Sequence, residues 1–230
     1  MRKLLLHVRA QGLRGAARGF SARTGGVILP HLKSGTREQH ERAEAHLNLM
    51  DPALDRRRYG QVLRTLRSLY GTLEPRVGEG LGRAGRAALD WPARLKVPLL
   101  DRDLRDLNVT PAADLDAGAV EAFLCDEAHA WGAAYVLEGA TLGGQLIRRH
   151  LAARLGLEGA GTAFHSGYGP LTGPRWRAFG EALEARVARA PDRAAFTDRA
   201  TDAARRTFGL FVPPAAPAVR QASPATRSLT

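Results

Sequence analysis

Apolar residues recur at spacings of three and four along most of this chain, and this pattern restricts its fold more than any other feature. The spacing places apolar side chains on one face of a helix. The clearest stretch is residues 59–73, followed by residues 120–135, 176–187 and, more weakly, 196–204. No stretch alternates with period two for long enough to predict a sheet. We therefore predict an all-α, single-domain fold of roughly seven or eight helices over about residues 30–211.

The two ends of the chain differ from this helical region. Residues 1–28 carry scattered arginines, several glycines and no acidic residue, and we interpret them as a disordered basic extension. A targeting presequence is the alternative, because Arg-rich and acid-poor segments serve that purpose. Residues 212–230 contain four prolines and no helical period, which predicts a loose tail. The folded domain is therefore expected to span residues 29–211.

The net charge of +11 is typical of nucleic-acid-binding proteins, but its distribution argues against that function. Eight basic residues and no acidic residue fall within residues 1–37, so the rest of the chain is only mildly basic. The one cysteine excludes an internal disulfide, and no apolar run reaches the roughly 20 residues that span a bilayer. These features predict a cytoplasmic protein with no nucleic-acid partner and no membrane span.

One face of a predicted helix combines cations, a histidine and a carboxylate. Offsets of 0, 3, 4, 7 and 11 residues place five side chains on this face: Lys33, Thr36, Arg37, His40 and Glu44. A neutral imidazole is a good ligand for haem iron, and a carboxylate four residues later could hold the other ring nitrogen directly or through water. The two cations would lie within reach of haem propionates. A surface helix with charge pairs and an incidental histidine is the alternative.

Three glycines interrupt a second apolar helical stretch about 95 residues later. Gly139, Gly143 and Gly144 lie between Tyr135 and Gln145, although each glycine costs about 1 kcal/mol relative to alanine within a helix. Gly139 and Gly143 share one face, where missing side chains would let the backbone approach a flat and bulky group. Close packing of two helices through small residues explains the glycines equally well when they are taken alone.

Taken together, the two segments resemble those of haem oxygenases. The histidine segment (residues 32–44) reads LKSGTREQHERAE, and the glycine segment (residues 138–145) reads EGATLGGQ. The resemblance is strongest to the bacterial haem oxygenases that accompany bacteriophytochromes, and it covers roughly residues 30–210. The pair of motifs at this separation is specific, whereas either motif alone is weak.

The resemblance implies the all-α haem oxygenase fold, in which haem lies between a proximal helix and a distal helix. His40 matches the proximal iron ligand, and Glu44 matches the carboxylate that contacts this histidine. Lys33 and Arg37 match cationic positions near the propionates, and Arg177 falls near a further cationic position on a later helix. The distal-helix glycines that lie against the haem face match Gly139, Gly143 and Gly144.

Two positions depart from the family's pattern. Animal-type haem oxygenases carry an aspartate directly after the first distal glycine, where it organises water, and this chain has Ala140 there. Thr141 is the nearest side chain that could make a polar contact to distal water. A basic residue expected four positions after Arg177 is Glu181 here. These departures leave open which meso carbon is attacked and what replaces the aspartate.

From this resemblance we expect haem b to be both substrate and cofactor. The reaction would open haem with molecular oxygen and release biliverdin, carbon monoxide and ferrous iron. The sequence contains no flavin, nicotinamide or iron–sulfur motif, so electrons are expected from an external donor such as a ferredoxin or a flavin reductase. A bacteriophytochrome would receive the bilin.

Two other functions stay open at this point. The same residues would serve a non-catalytic haem-binding protein, such as a sensor, a store or a chaperone, and Ala140 in place of an acid favours that function. A non-haem di-iron oxidase would use carboxylate–histidine pairs on helices. Asp126 and His129 have the spacing of one such pair and Glu138 lies nearby, but a second pair is not visible.

Overall fold

The structure, a computed structural model, describes residues 26–212. These residues are helical and form no β-strand, which confirms the predicted all-α fold. They form eleven α-helices: α1 (Ile28–Gly35), α2 (Arg37–Leu47), α3 (Arg56–Gly80), α4 (Gly82–Leu89), α5 (Val97–Asp106), α6 (Ala117–Glu121), α7 (Glu127–Gly139), α8 (Gly144–Leu155), α9 (Ala163–Ser166), α10 (Thr172–Ala188) and α11 (Arg193–Leu210). Three 3₁₀ turns lie at Trp91–Arg94, Ala140–Gly143 and Gly169–Leu171.

The eleven α-helices of residues 26–212 exceed the seven or eight predicted, and seven of them have ten or more residues. The other four are shorter, at eight residues or fewer. None of the helices in this range combines the length and the apolar character that crossing a bilayer requires. Most of the predicted basic extension, up to residue 25, and the predicted tail from residue 213 lie outside the described residues.

Helix α7 is central to the fold, and small residues let it pack closely against α11. These two helices contact each other more extensively than any other pair in the described range. A Cβ atom on Gly132 would lie 1.9 Å from the carbonyl oxygen of Ala200, so the two backbones meet with no side chain between them. Ala203 and Ala204, which belong to the weaker predicted stripe, are fully buried. This close approach helps to bury α7 along most of its length.

Helix α3 supplies the longest apolar face of the core. Asp55 caps its start by accepting a 2.7 Å hydrogen bond from the Arg58 N–H group. The predicted stripe on this helix is confirmed, because each of its members is at most 3% exposed. Those members are Tyr59, Val62, Leu63, Leu66, Leu69, Tyr70 and Leu73.

Two buried carboxylates cap the starts of other helices and connect distant parts of the fold. Glu74 on α3 accepts hydrogen bonds from the backbone N–H groups of Lys96 and the next residue, where α5 begins. Asp103 on α5 accepts hydrogen bonds of 2.6 Å and 2.8 Å from Ala163 and Phe164 at the start of α9. The caps satisfy N–H groups that have no partner within their own helix. Burial nevertheless raises the pKa of Glu74 to about 7 and also raises the pKa of Asp103.

We expect Gly132→Ala to lower the free energy of unfolding by about 1–3 kcal/mol, because the added methyl group overlaps the Ala200 carbonyl oxygen. Gly209→Ala is the matched control on α11. A Cβ at Gly209 meets no atom within 4 Å, so the higher helix propensity of alanine should leave stability unchanged or slightly increased. Urea unfolding of both variants measures the difference. A Gly132→Ala variant as stable as the parent would contradict the α7–α11 contact.

The raised pKa of Glu74 makes its contribution to stability depend on pH. The folded protein binds the Glu74 proton more tightly than the unfolded chain does, so stability falls as the pH rises from the ordinary pKa of 4.5 to about 7. Between about pH 5 and pH 8 we expect the parent to lose about 2–3 kcal/mol more than Glu74→Gln loses. Urea unfolding at each pH tests this expectation, and equal losses in the two proteins would disprove it.

Candidate functional site

The histidine segment is bent and does not form one continuous helix. Helices α1 and α2 meet on either side of Thr36. The Thr36 hydroxyl donates a 2.7 Å hydrogen bond to the Leu32 carbonyl oxygen, and side-chain bonds of this kind often bend helices. The backbone N–H groups of Thr36 and His40 still bond to the carbonyl groups four residues earlier. Lys33 therefore lies before the bend, and His40 lies one turn after it.

The imidazole of His40 lies beside a carboxylate and an aromatic ring. Its side chain is 50% exposed, and its Nδ1 atom is 3.7 Å from Oε2 of Glu44. The Phe208 ring of α11 meets it edge-on, with the ring centres 5.4 Å apart. A separation of 3.7 Å is slightly longer than a hydrogen bond, and a small rotation of either side chain would bring the two atoms within hydrogen-bond distance. A proton held on Nδ1 places the lone pair on Nε2, so Glu44 is close enough to favour the tautomer that binds a metal through Nε2.

The glycine segment changes helix type along its length. Helix α7 ends at Gly139, residues 140–143 form a 3₁₀ turn, and α8 begins at Gly144. A 3₁₀ helix has three residues per turn, so Glu138, Thr141 and Gly144 share one face. This face points inward, because Glu138 and Gly144 are buried and Thr141 is half-buried. The sequence predicted one α-helix here, and the 3₁₀ turn separates the glycines that the prediction grouped together.

The other side of the 3₁₀ turn is open. A Cβ atom on Gly139 would meet only the Trp176 ring, at 3.8 Å, and one on Gly143 would meet only a single side-chain atom, at 4.0 Å. The neighbouring side chains of Leu142 and Leu146 are 49% and 46% exposed. Glycine backbone and leucine side chains thus form an apolar surface that no described side chain fills. Exposed apolar surface of this kind is typical of a ligand or partner site.

Gly144 and Thr141 already make contacts within the protein. A Cβ on Gly144 would lie 2.1 Å from the His165 carbonyl oxygen, so close packing requires glycine there. The Thr141 hydroxyl donates a 2.7 Å hydrogen bond to the Glu138 carbonyl oxygen, which leaves its oxygen as an acceptor for another partner. Packing is therefore a sufficient reason for Gly144, independent of any ligand.

The histidine segment and the glycine segment meet at one junction. The Tyr135 hydroxyl on α7 lies near the Thr36 side chain at the bend; burial, the larger effect, raises the pKa of Tyr135, while this neighbour lowers it. The Tyr135 ring also lies near the Trp176 ring on α10, with the ring centres 5.8 Å apart. His40 follows Thr36 by one helical turn, and Gly139 follows Tyr135 by one turn, a rise of about 5.4 Å in each case. The structure therefore brings together two segments that are far apart in the sequence.

The three predicted cations lie on the helices around the bend and are exposed. Helices α1 and α10 run antiparallel, and Leu29 on α1 packs against Gly180 on α10. Lys33 and Arg177 each lie about one turn from this contact, at the same level of the helix pair. Arg37 begins α2, and its guanidinium pairs at 3.1 Å with a glutamate one turn later in the same helix.

A buried ion cluster, consisting of Arg94, Lys96, Glu138 and Tyr168, holds the start of the glycine segment. Glu138 is 1% exposed, forms an ion pair with Arg94 and lies 3.2 Å from the Lys96 ammonium group. The Tyr168 hydroxyl donates a 2.6 Å hydrogen bond to Glu138 and accepts one of the same length from Lys96. Burial lowers the pKa of Lys96, and burial together with the Glu138 charge raises the pKa of Tyr168.

This ion cluster is not predictable from local sequence. Its only local signal is a charge, Glu138, that directly follows two apolar residues on a helix. The partners of Glu138 lie 30 to 44 residues away along the chain, so no short-range pattern connects them to it. Leu142, Leu146 and Phe208, which border the candidate site, carry no sequence signal that separates them from ordinary core residues.

The described part of the chain contains no site that supports the di-iron alternative. Asp126 caps α7 by accepting a 3.0 Å hydrogen bond from the His129 N–H group, and its carboxylate also pairs with the His129 ring and Arg199. Glu138 belongs to the ion cluster. Residues 26–212 contain no group of three or more His, Cys, Asp and Glu side chains that could hold a metal ion.

Two sequence comparisons identify relatives of this chain. The family model described as "Heme oxygenase" matches residues 28–213. A haem oxygenase of Xanthomonas campestris pv. campestris is 36% identical over 142 residues, which cover 61% of this chain and 81% of that protein. The match to the family model includes both the histidine segment and the glycine segment.

Solved structures share the fold at lower sequence identity. A haem oxygenase of Neisseria meningitidis superposes with a TM-score of 0.65 at 20% identity, covering 80% of this chain and 87% of that one. The heme oxygenase-1 of the cyanobacterium Synechocystis, in complex with heme, superposes with a TM-score of 0.59 at 17% identity, covering 80% and 90% of the two chains. The sequence matches and the shared fold agree, and the chain therefore belongs to the haem oxygenase family of haem-degrading oxidoreductases.

Proposed function

We propose that this protein opens haem b with molecular oxygen and external electrons, and releases biliverdin, carbon monoxide and ferrous iron. The observation that carries the proposal is that α11 joins the two segments: its Phe208 ring meets His40, and it packs along α7, which leads into the open glycine face. Membership of the haem oxygenase family supports it, as does the Synechocystis relative with its bound heme. Bound haem supplies both the iron that activates oxygen and the ring that is opened.

His40 is the proposed ligand of the haem iron, through Nε2. Glu44 would hold the ring's tautomer by accepting a hydrogen bond from Nδ1, which a small closing of the observed 3.7 Å separation would form. The edge of the Phe208 ring restricts the imidazole on its other side. These contacts suit a neutral imidazole with a defined orientation, which is what binding to iron requires.

Gly139 and Gly143 are the proposed wall against the second face of haem. Without side chains, the backbone at both positions can approach a planar group to van der Waals distance. The exposed surface of Leu142 and Leu146 beside them would be covered by the porphyrin, and this burial of apolar area favours binding.

Water on this face would be held without an acidic side chain, because Ala140 occupies the position after Gly139. The Thr141 oxygen can accept a hydrogen bond while its proton stays on the Glu138 carbonyl oxygen. Gly144 would contribute through its packing and not through contact with the ligand.

Lys33 and Arg177 are the proposed partners of the propionates, since both are exposed at the same level of the α1–α10 pair. Arg37 would join them while its Nε stays paired with Glu41, because its two terminal nitrogens can still donate hydrogen bonds. Exposed ion pairs contribute up to about 1 kcal/mol each, which makes the iron ligand and apolar contact the main sources of affinity.

The electron donor is proposed to be an external ferredoxin or flavin reductase. The mildly basic domain, expected over residues 29–211, would suit an acidic partner surface. A cytoplasmic location and a bacteriophytochrome as recipient of the bilin complete the proposal. The alternative is a non-catalytic haem-binding protein, which Ala140 favours because no acid is present at that position to organise water.

We expect His40→Ala to lose both the histidine-coordinated haem spectrum and bilin formation, because it removes the proposed iron ligand. The parent, loaded with hemin and supplied with ascorbate in air, should yield a bilin. The matched control is His46→Ala, which removes an exposed imidazole from the same helix and should behave as the parent. Parental spectrum and rate in His40→Ala would refute the ligand assignment. Haem that survives reduction unchanged in the parent would favour the non-catalytic alternative.

A large side chain at Gly143 should prevent haem from docking. We expect Gly143→Phe to weaken haem affinity at least about tenfold, since the aromatic ring would occupy the open face beside Leu142. Gly159→Phe is the control, because Gly159 lies in another loop and a Cβ there also meets no atom within 4 Å. Hemin titration followed by absorbance measures both affinities, and circular dichroism confirms folding. Equal affinity in Gly143→Phe and the parent would remove Gly143 from the proposed wall.

A further inference from the structure

Three contacts support the inward face of the glycine segment at intervals of one 3₁₀ turn. They come from residues 165–168, which comprise the end of α9 and the two residues after it and are called the supporting loop; it runs past the segment in the opposite direction. The contacting pairs are Glu138 with Tyr168, Thr141 with Gly167, and Gly144 with His165. A spacing of three residues on the segment matches the three residues per turn of a 3₁₀ helix. The loop therefore touches a single face of the segment.

The first of these contacts differs from the other two in kind. The other two are close approaches between small groups: a Cβ on Gly167 would lie 3.6 Å from the Thr141 Cβ, and one on Gly144 would lie 2.1 Å from the His165 carbonyl oxygen. The Tyr168 hydroxyl instead donates a hydrogen bond to a carboxylate that is 1% exposed. Hydrogen bonds to charged groups are stronger than neutral ones, and a buried charge is costly without its partners. Polar anchoring is thus concentrated at the start of the segment.

The ion cluster joins the segment to two other parts of the fold. Arg94 and Lys96 belong to the connection between α4 and α5, and Tyr168 belongs to the supporting loop. Arg94 also donates to the carbonyl oxygens of Leu89 and Arg175. Rotation of Glu138 away from this cluster would leave two buried cations short of their anion, so the cluster resists rotation of the helix end.

We propose that Glu138 and Tyr168 are positioning residues that fix the rotation of the glycine segment, so that Gly139 and Gly143 stay on its open face. The inference rests on the proposed function, because it gives that rotation a role in haem binding. A shift of one residue in a 3₁₀ turn is a rotation of about 120°. Such a rotation would bring the Leu142 side chain to the place of Gly143 and close the surface proposed for haem.

Tyr168→Phe tests the proposal with little disturbance to packing. The variant keeps the ring, which lies 4.3 Å from the Lys96 ammonium group and 4.6 Å from the Arg175 guanidinium. It removes only the hydroxyl that joins Lys96 to Glu138. Tyr59→Phe is the matched control, since it removes another hydroxyl that donates a 2.7 Å buried hydrogen bond, there to the Gly161 carbonyl oxygen.

Amide hydrogen exchange of the haem-free full chain is the first measurement. In Tyr168→Phe we expect exchange of residues 139–144 to become about tenfold or more faster than in the parent, because a hydrogen bond to a charged group no longer opposes local opening. In Tyr59→Phe the same amides should exchange at the parental rate. Unchanged exchange at residues 139–144 in Tyr168→Phe, or an equal increase in every helix, would overturn the proposal.

Hemin titration is the second measurement, and it separates this inference from the proposed function. We expect haem affinity to fall several-fold in Tyr168→Phe and to stay at the parental value in Tyr59→Phe. Failure of the parent to bind hemin would reject the proposed function, while the exchange data would still test the anchoring. Normal hemin binding by the parent, together with parental exchange and affinity in Tyr168→Phe, would reject the positioning role alone.

Discussion

A buried helix can keep a charge only where the charge is surrounded by its own partners, and α7 is arranged around that constraint. Most of the helix is apolar or small and packs on α11, where Gly132 meets the backbone at Ala200. Its last turn carries Glu138, whose burial requires the two cations and the phenol of the ion cluster. These partners stabilise the buried last turn of α7, where the helix changes into a 3₁₀ turn. The proposed haem site begins at the next residue.

Glycine serves two opposite purposes in this fold. At Gly132 and Gly144 it allows another backbone to approach, and a methyl group would lie within about 2 Å of a carbonyl oxygen. At Gly143 the space above the backbone is almost unfilled by the described residues, and at Gly139 the Trp176 ring borders it at 3.8 Å, so a methyl group would fit at either position without a clash. The first pair is explained by internal packing alone. Internal packing does not explain Gly139 and Gly143, whereas contact with a planar ligand would explain them.

Local periodicity allowed the long helices and the histidine–carboxylate pair to be predicted. The stripe on α3 and the separation of His40 from Glu44 both depend on helical spacing, which sequence shows directly. Helices α6 and α9, with five and four residues, are too short to show a period. The bend at Thr36 is accompanied by a hydrogen bond from the threonine hydroxyl to the Leu32 carbonyl oxygen. Helix propensity does not show whether a threonine will form this bond.

The predicted site was incomplete where contacts are long-range. The resemblance assigned Gly143 and Gly144 the same role, whereas the supporting loop, which approaches only one face, gives them different surroundings. That approach is a tertiary contact, which local spacing does not show. The ion cluster was missed for the same reason.

The contact between Gly144 and His165 constrains its two positions unequally over evolutionary time. One side consists of a missing side chain, and the other consists of a main-chain oxygen that every amino acid possesses. Drift at position 165 is therefore not limited by this contact, whereas position 144 has a single permitted residue. We therefore expect main-chain packing to retain Gly144 while this contact leaves the identity of residue 165 unconstrained. The glycine would be retained even in descendants of this fold that no longer bind or degrade haem.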